Sequence, residues 1–147
     1  MHVHEPDTKA IPGEPSGGSR LVLGVRIDGS DYAATTARIL ALAEVRRASY
    51  VCAANVHMVM EAWDDERFRD VVNGATLVTS DGMPLVWMLR ALGLRCIGRV
   101  YGPTLMLEVC AAAAERAVPV GLLGGRPEVL PRLAAALLER HPNLEIA

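Results

Sequence analysis

Apolar residues occur along the chain in short continuous runs that alternate with longer amphipathic segments. Short runs rich in Val, Leu and Ala predict buried strands at 21–27, 50–53, 75–79 and 118–123. Helical spacing of apolar residues predicts helices at about 32–47, 56–72 (broken near Trp63 and Asp64), 84–92, 102–116 and 128–140. Strands that alternate with helices favour parallel βαβ units. The pattern therefore predicts an α/β fold with a Rossmann-like, mostly parallel sheet flanked by helices.

The two ends of the chain differ from this pattern. Residues 1–19 contain three prolines and a Gly-Gly pair with almost no apolar periodicity, which is typical of a disordered tail. We therefore predict one folded α/β domain over 20–147. Residues 144–147 have the pattern of a strand that is just beginning, and we interpret the domain as incomplete at its C-terminus.

Composition narrows the class of protein. A chain of 147 residues, of which 51% are hydrophobic, suits a single globular domain. The net charge of −2 gives no electrostatic footprint for nucleic acid. No apolar run is long enough to cross a bilayer and no signal peptide opens the chain, so we expect a cytoplasmic protein. Two histidines near the start, His2 and His4, lack further ligands, and we predict no metal site. The scattered cysteines indicate buried thiols in a reducing compartment, namely Cys52, Cys96 and Cys110.

Polar residues follow several predicted strands, where ligands bind in open α/β sheets. Asn55 comes after the second strand and either contacts a sugar or base edge or caps the next helix. Asp81, with Gly82 beside it, comes after the third strand. Its carboxylate either takes a proton from a hydroxyl group or caps the following helix. Arg99 precedes the helix that begins at Gly102, a combination that suits a diphosphate, although a lone loop arginine is usually a surface residue.

A second glycine-rich turn, Gly124-Gly125, connects the fourth strand to the last helix. Such a turn can hold a phosphate against a helix N-terminus. It lacks the full pattern of a dinucleotide-binding turn or a P-loop, so neither class is predicted.

Together these motifs resemble one family. Asn55-Val56-His57-Met58-Val59-Met60-Glu61-Ala62, Asp81-Gly82-Met83-Pro84-Leu85-Val86 and Arg99-Val100-Tyr101-Gly102-Pro103 occur in the order and spacing of the WecG/TagA/CpsF glycosyltransferases. Gly124-Gly125 followed by Pro-Glu-Val-Leu agrees with the same pattern. Two positions depart from it, because many members have threonine at the position of Ala53 and proline at the position of Ser80.

The resemblance implies an inverting, metal-independent enzyme without a cofactor. Its members move a hexose or N-acetylhexosamine from a UDP-sugar to a polyprenyl-diphosphate-linked sugar, in cell-wall polymer or exopolysaccharide synthesis at the inner face of the membrane. By this similarity Asp81 is the general base. Asn55 and Arg99 bind the nucleotide sugar or stabilise the leaving diphosphate, and Gly82, Gly102, Gly124 and Gly125 line the substrate site.

Two other functions fit the same residues. One is a non-catalytic nucleotide-sugar-binding module, favoured by Ala53 and by the predicted incomplete sheet. The other is a structural homo-oligomer in which a second copy covers an exposed sheet edge.

Overall fold

The first predicted strand is a hairpin. A computed structural model describes residues 18–95 and 97–147. In it β1 (Ser19–Val22) and β2 (Val25–Asp28) pair antiparallel. The two residues between them, Leu23 and Gly24, have φ angles of 49° and 83°, and positive φ at both central residues is what a type I′ turn requires. The prediction of one continuous strand over 21–27 is therefore wrong, because a leucine occupies a turn position that usually carries Asn, Asp or Gly.

The parallel part of the fold is a pair of strands with a helical crossover between them. β3 (Val51–Ala54) pairs with β4 (Leu77–Ser80) along their full lengths, and α2 (Val56–Asp64) and α3 (Glu66–Asn73) connect them. The predicted helix break is confirmed one residue later, at Asp65, whose carboxylate accepts hydrogen bonds from two N–H groups in the first turn of α3. The mixed α/β class is confirmed by this unit.

The hairpin joins β4 through side chains. The Asp28 carboxylate accepts a hydrogen bond from the Val78 N–H at 2.8 Å. Asn73, at the end of α3, accepts from the Arg26 N–H at 2.8 Å and donates to the Gly24 carbonyl at 2.9 Å. Because side chains replace a backbone ladder here, β2 lies beside β4 without pairing with it.

The remaining helices are α1 (Tyr32–Glu44), α4 (Met83–Ala91), α5 (Gly102–Arg116) and α6 (Val129–Arg140). These helices confirm the helical periodicity within a few residues at each end. The strand predicted at 118–123 is reduced to one parallel bridge between Val120 and Ile146. The described chain thus contains two two-stranded sheets and this bridge, instead of one continuous and mostly parallel sheet.

Apolar side chains form two clusters. The first cluster lies between the strands and α2, α3 and α4, and Ile27, Val78 and Leu85 are among its buried members. The second cluster lies between α1, α5, α6 and the Val120–Ile146 bridge, with Leu40 and Leu137 at its centre. The two long helices α1 and α5 pack against each other and carry the second cluster, while their N-termini reach the strands of the first.

Some expectations concern residues outside the described ranges. The predicted tail falls outside them up to residue 17, including His2 and His4, as does Cys96, whereas Ser19 already belongs to β1. Cys52 and Cys110 are free thiols, and burial raises the pKa of each, an effect that the positive charge of Arg26 partly offsets at Cys52. Within the described ranges, no helix combines the length and apolarity that crossing a membrane requires.

Candidate functional site

The candidate site lies at the carboxyl ends of β3 and β4. Asn55 is the first residue after β3, and Asp81 is the first residue after β4. The Asp81 N–H donates a hydrogen bond to the Ala54 carbonyl at 2.7 Å, so the two strand ends remain joined beyond the last paired residues. The parallel register thus places two of the predicted polar residues at one edge of the sheet.

The Asp81 carboxylate is held by residues that are distant in sequence. Its side chain is 13% exposed, and its Oδ2 atom accepts a hydrogen bond from the Gly102 N–H at 3.2 Å. Its Oδ1 atom is shielded from solvent, has no hydrogen-bond partner among the described residues and lies 3.6 Å from Nη2 of Arg99. That distance allows an ion pair but is too long for a hydrogen bond. Oδ1 therefore keeps its lone pairs for another donor.

Asp81 does not cap the helix that follows it. The N-cap of α4 is Gly82, and no side chain accepts from the first turn of that helix. The interpretation of Asp81 as a local helix cap is therefore wrong. Its carboxylate instead accepts from the first residue of α5, where the positive end of the helix dipole favours a negative charge.

Arg99 extends from a backbone segment that is fastened on both sides. The Gly98 N–H donates to the Ser30 carbonyl at 3.2 Å, and the Val100 N–H donates to the Ser80 carbonyl at 2.8 Å. The Ser80 hydroxyl donates to the Gly98 carbonyl at 3.1 Å, a bond that proline at this position could not make. The Arg99 side chain is 45% exposed, so a fixed backbone presents a guanidinium group that solvent and ligands can reach.

The N-terminus of α5 supplies further parts of the site. The ring of Tyr101, the N-cap residue, lies 4.6 Å from Cζ of Arg99, which is cation–π distance. The Tyr101 N–H donates to the hydroxyl of Tyr32 at 3.0 Å. A β-carbon on Gly102 would lie 3.5 Å from both the Ala53 β-carbon and Oδ2 of Asp81. Glycine there leaves open the space directly beside the carboxylate.

Asn55 acts as a helix cap, as one of its two interpretations predicted. Its Oδ1 atom accepts from the Met58 N–H at 2.9 Å at the start of α2. The Nδ2 group has no hydrogen-bond partner in residues 18–95 and 97–147 and is free to donate to a ligand. The two interpretations of Asn55 are thus compatible. His57, one turn inside α2, is exposed and lies 3.5 Å from Glu61.

The glycine-rich turn follows the strand bridge of the second cluster. Gly124 and Gly125 have φ angles of +99° and +78°, which glycine adopts readily, and they follow Val120 beside the second cluster. A β-carbon at either residue would meet no heavy atom of the described chain within 4 Å. Of the glycines predicted to line the site, Gly82 directly follows Asp81 and Gly102 donates to its carboxylate.

Sequence reasoning missed two tyrosines and one serine of the site. Tyr32 follows the N-cap residue of α1, at the end of the short connection from β2. Its place at a helix start could be recognised from the sequence. Its hydrogen-bond partner could not, because Tyr101 lies 69 positions away. The roles of Ser80 and Tyr101 likewise depend on contacts between segments, which no local pattern records.

The arrangement combines a shielded carboxylate, a reachable arginine and the N-termini of α2, α4 and α5 at one sheet edge. In the described part of the chain, no three His, Cys, Asp or Glu side chains come together in a cluster that could hold a metal ion.

The class of protein follows from sequence comparison, because the sequence model of a glycosyl transferase family matches residues 20–147. The chain belongs to the WecG/TagA/CpsF family of glycosyl transferases, whose substrates are a sugar donor and an acceptor.

Proposed function

We propose that this protein is an inverting, metal-independent glycosyltransferase. It moves a hexose or N-acetylhexosamine, of the N-acetylmannosamine type, from a UDP-sugar to a polyprenyl-diphosphate-linked sugar in cell-wall polymer or exopolysaccharide synthesis. The observation that carries the proposal is the Asp81 carboxylate, shielded at the strand ends with a half-exposed arginine 3.6 Å away. This pair supplies both a proton acceptor and a positive charge, and family membership supplies the class of reaction.

Asp81 acts as the general base. It takes the proton from the acceptor hydroxyl while that oxygen forms a bond to the anomeric carbon. The bond between the sugar and the diphosphate breaks on the opposite face, and UDP leaves with the electron pair. The configuration at the anomeric carbon is therefore inverted. The open space beside Gly102, which adjoins the Oδ2 atom, supports this role for Asp81.

Arg99 and the helix N-termini stabilise the leaving diphosphate. A guanidinium group has several N–H donors, and a single nitrogen of Arg99 faces Asp81, so the others remain for phosphate oxygens. In the first turn of α4 Pro84 has no N–H and the Leu85 N–H bonds to the Gly82 carbonyl, so the Met83 N–H is the donor that this turn presents beside Gly82. The free amide of Asn55 adds a donor for a sugar hydroxyl or the uracil.

The proposal extends to the fold and to the location of the protein. The parallel β3–β4 pair and the parallel Val120–Ile146 bridge support a Rossmann-like, mostly parallel sheet for the family domain, with Gly124 and Gly125 as a further substrate contact. A polyprenyl-linked acceptor is membrane-bound, so the enzyme acts as a peripheral protein at the cytoplasmic face of the membrane.

Calorimetric titration with UDP and a transfer assay test the two roles separately. Arg99→Ala should weaken UDP binding by about 10-fold or more, since it removes charged hydrogen bonds worth roughly 1.5–3 kcal/mol. Asp81→Asn should leave UDP affinity within about threefold and lower transfer by about 10²–10⁴-fold, the usual contribution of a general base. Arg67→Ala, on the exposed side of α3, is the matched control and should change neither.

Each result has a counterpart that contradicts it. Transfer that persists in Asp81→Asn would exclude Asp81 as the base. UDP binding that is equal in Arg99→Ala and wild type would exclude Arg99 from the diphosphate site. UDP binding with no transfer to any lipid-linked acceptor would instead support the nucleotide-sugar-binding module, which the alanine at position 53 also favours.

A further inference from the structure

The start of α1 touches the candidate site through one side chain. Tyr32 is the first residue of α1, and its hydroxyl oxygen accepts a hydrogen bond from the Tyr101 N–H at 3.0 Å. This bond connects the turn after β2 to the N-cap of α5. In the described chain it is the contact by which α1 reaches the residues around Asp81.

Tyr101 is the residue on which the geometry of the site depends. Its ring lies under the Arg99 guanidinium at 4.6 Å, and its neighbour Gly102 donates the 3.2 Å hydrogen bond to Asp81. No side chain of α5 itself caps this helix. The first two N–H groups of this turn are therefore held from outside, by Tyr32 and by Asp81, and the next residue is a proline without an N–H.

We propose that Tyr32 is a positioning residue for the Asp81–Arg99 pair. Its hydroxyl fixes the backbone of Tyr101, and Tyr101 in turn sets the position of the Arg99 guanidinium and of the Gly102 N–H. The hydrogen bond lies in an exposed position, so water can satisfy the Tyr101 N–H when the hydroxyl is lost. The bond therefore contributes little to stability and much to the placement of groups around the carboxylate. The proposed effect on UDP affinity rests on the proposed function, but the effect on Arg99 does not.

Proton NMR of the ligand-free chain tests the placement directly. A guanidinium stacked on a ring experiences a ring-current shift, so the Arg99 side-chain protons should lie upfield of their usual positions. In Tyr32→Phe these signals should move towards the positions seen in Tyr101→Leu, which lacks the ring. Tyr50→Phe is the matched control, because Tyr50 also bonds a backbone group, the Val71 carbonyl, at the other end of β3. It should leave the Arg99 signals unchanged.

A double-mutant cycle in UDP affinity then tests whether Tyr32 acts through Arg99. Tyr32→Phe alone should weaken UDP binding severalfold, and it should have no further effect in an Arg99→Ala background. Independent effects that multiply would overturn the proposal, as would Arg99 signals in Tyr32→Phe that match wild type. Loss of the folded state in Tyr32→Phe would also overturn it, since an exposed positioning bond does not hold a domain together. If the wild-type chain binds no UDP, the proposed function fails, while the NMR comparison still decides the role of Tyr32.

Discussion

The two apolar clusters differ in the number of their buried side chains and in the strand pairing around them. In the described residues, the first cluster contains fourteen buried side chains, between strands that pair over four residues each. The second contains five buried side chains, surrounded by eleven partly buried ones and a single strand bridge. The longer helices belong to the second cluster, so the deeper burial in the first comes with its strands and not with helix length.

The residues of the candidate site stand at the ends of the strands that belong to the first cluster. Asp81, Arg99 and Gly102 meet where backbone hydrogen bonds from β3, β4 and the segment after α4 converge. The Gly124-Gly125 turn follows the single bridge of the second cluster and has no neighbours of comparable closeness. A reacting group needs placement within about 0.5 Å, which a densely bonded strand end supplies more readily than a loop. The comparison teaches that strand pairing supplies the fixed backbone on which Asp81 and Arg99 stand.

The largest expected effect concerns the side chains that hold the first cluster together. Asp28 is buried, pairs with Nε of Arg26 at 3.3 Å and accepts from the Val78 N–H. Asp28→Ala leaves that N–H without an acceptor and removes the carboxylate from Arg26, whose guanidinium keeps its hydrogen bonds to the Asn73 and Ala75 carbonyls. We expect a loss of about 3–5 kcal/mol in the free energy of unfolding. Urea unfolding monitored by Trp63 and Trp87 fluorescence measures it, since both tryptophans lie on helices that pack on this cluster.

The matched control is the ion pair between α1 and α5. Glu44 and Arg116 are 3.2 Å apart, and both side chains are 46% exposed. Because water screens such a pair, Glu44→Ala should change the free energy of unfolding by no more than about 1 kcal/mol. Equal losses of stability in Asp28→Ala and Glu44→Ala would contradict the view that the buried contacts of Asp28 stabilise the fold more than a surface ion pair does.

Local patterns account for most of the predicted fold. Helix bounds were predicted within a few residues because apolar periodicity is a property of neighbouring residues. The hairpin was missed because Leu23 adopts a positive φ that its residue type does not announce. The strand at 118–123 was overestimated, since an apolar run shows a preference for burial and does not show whether a partner strand pairs with it.

The site could be predicted in part for a related reason. Asn55, Asp81 and Arg99 stand at strand ends or helix starts, and such positions can be recognised from the order of elements. Which atoms meet there depends on long-range packing. The bond between Gly102 and Asp81 spans 21 residues and the one between Tyr101 and Tyr32 spans 69. For that reason Tyr32 was missed.

A somewhat smaller loss of stability should distinguish a buried leucine of the first cluster from one of the second. Leu85 is 1% exposed and Leu137 is 2% exposed, so truncation to alanine removes the same buried atoms in each cluster. We expect Leu85→Ala to lower the free energy of unfolding by about 4 kcal/mol and Leu137→Ala by about 2–3 kcal/mol, because partly exposed neighbours of Leu137 can close over the cavity.

UDP affinity should also distinguish Leu85→Ala from Leu137→Ala. The buried Leu85 side chain anchors the first turn of α4 beside Gly82, so the cavity in Leu85→Ala should also weaken UDP binding, and Leu137→Ala should leave it within about twofold of wild type. Chemical unfolding by circular dichroism and UDP titration measure the two quantities. A larger loss of affinity in Leu137→Ala would show that the second cluster, and not the first, supports the site.

The smallest expected effect is a gain in stability at the C-terminus of α5, beside the second cluster. Ala117, at the C-terminus of α5, has a φ of 52°, a left-handed conformation that costs an alanine roughly 1–2 kcal/mol. Ala117→Gly removes that cost but adds about 0.5–1 kcal/mol of unfolded-chain entropy, so we expect a net gain of about 0.5 kcal/mol and a melting temperature higher by about 2 °C. Ala111→Gly, within α5, should have the opposite sign, with a loss of about 1 kcal/mol. If Ala117→Gly and Ala111→Gly both destabilise the protein, α5 does not end in a left-handed residue. The backbone between α5 and Val118 would then have another conformation.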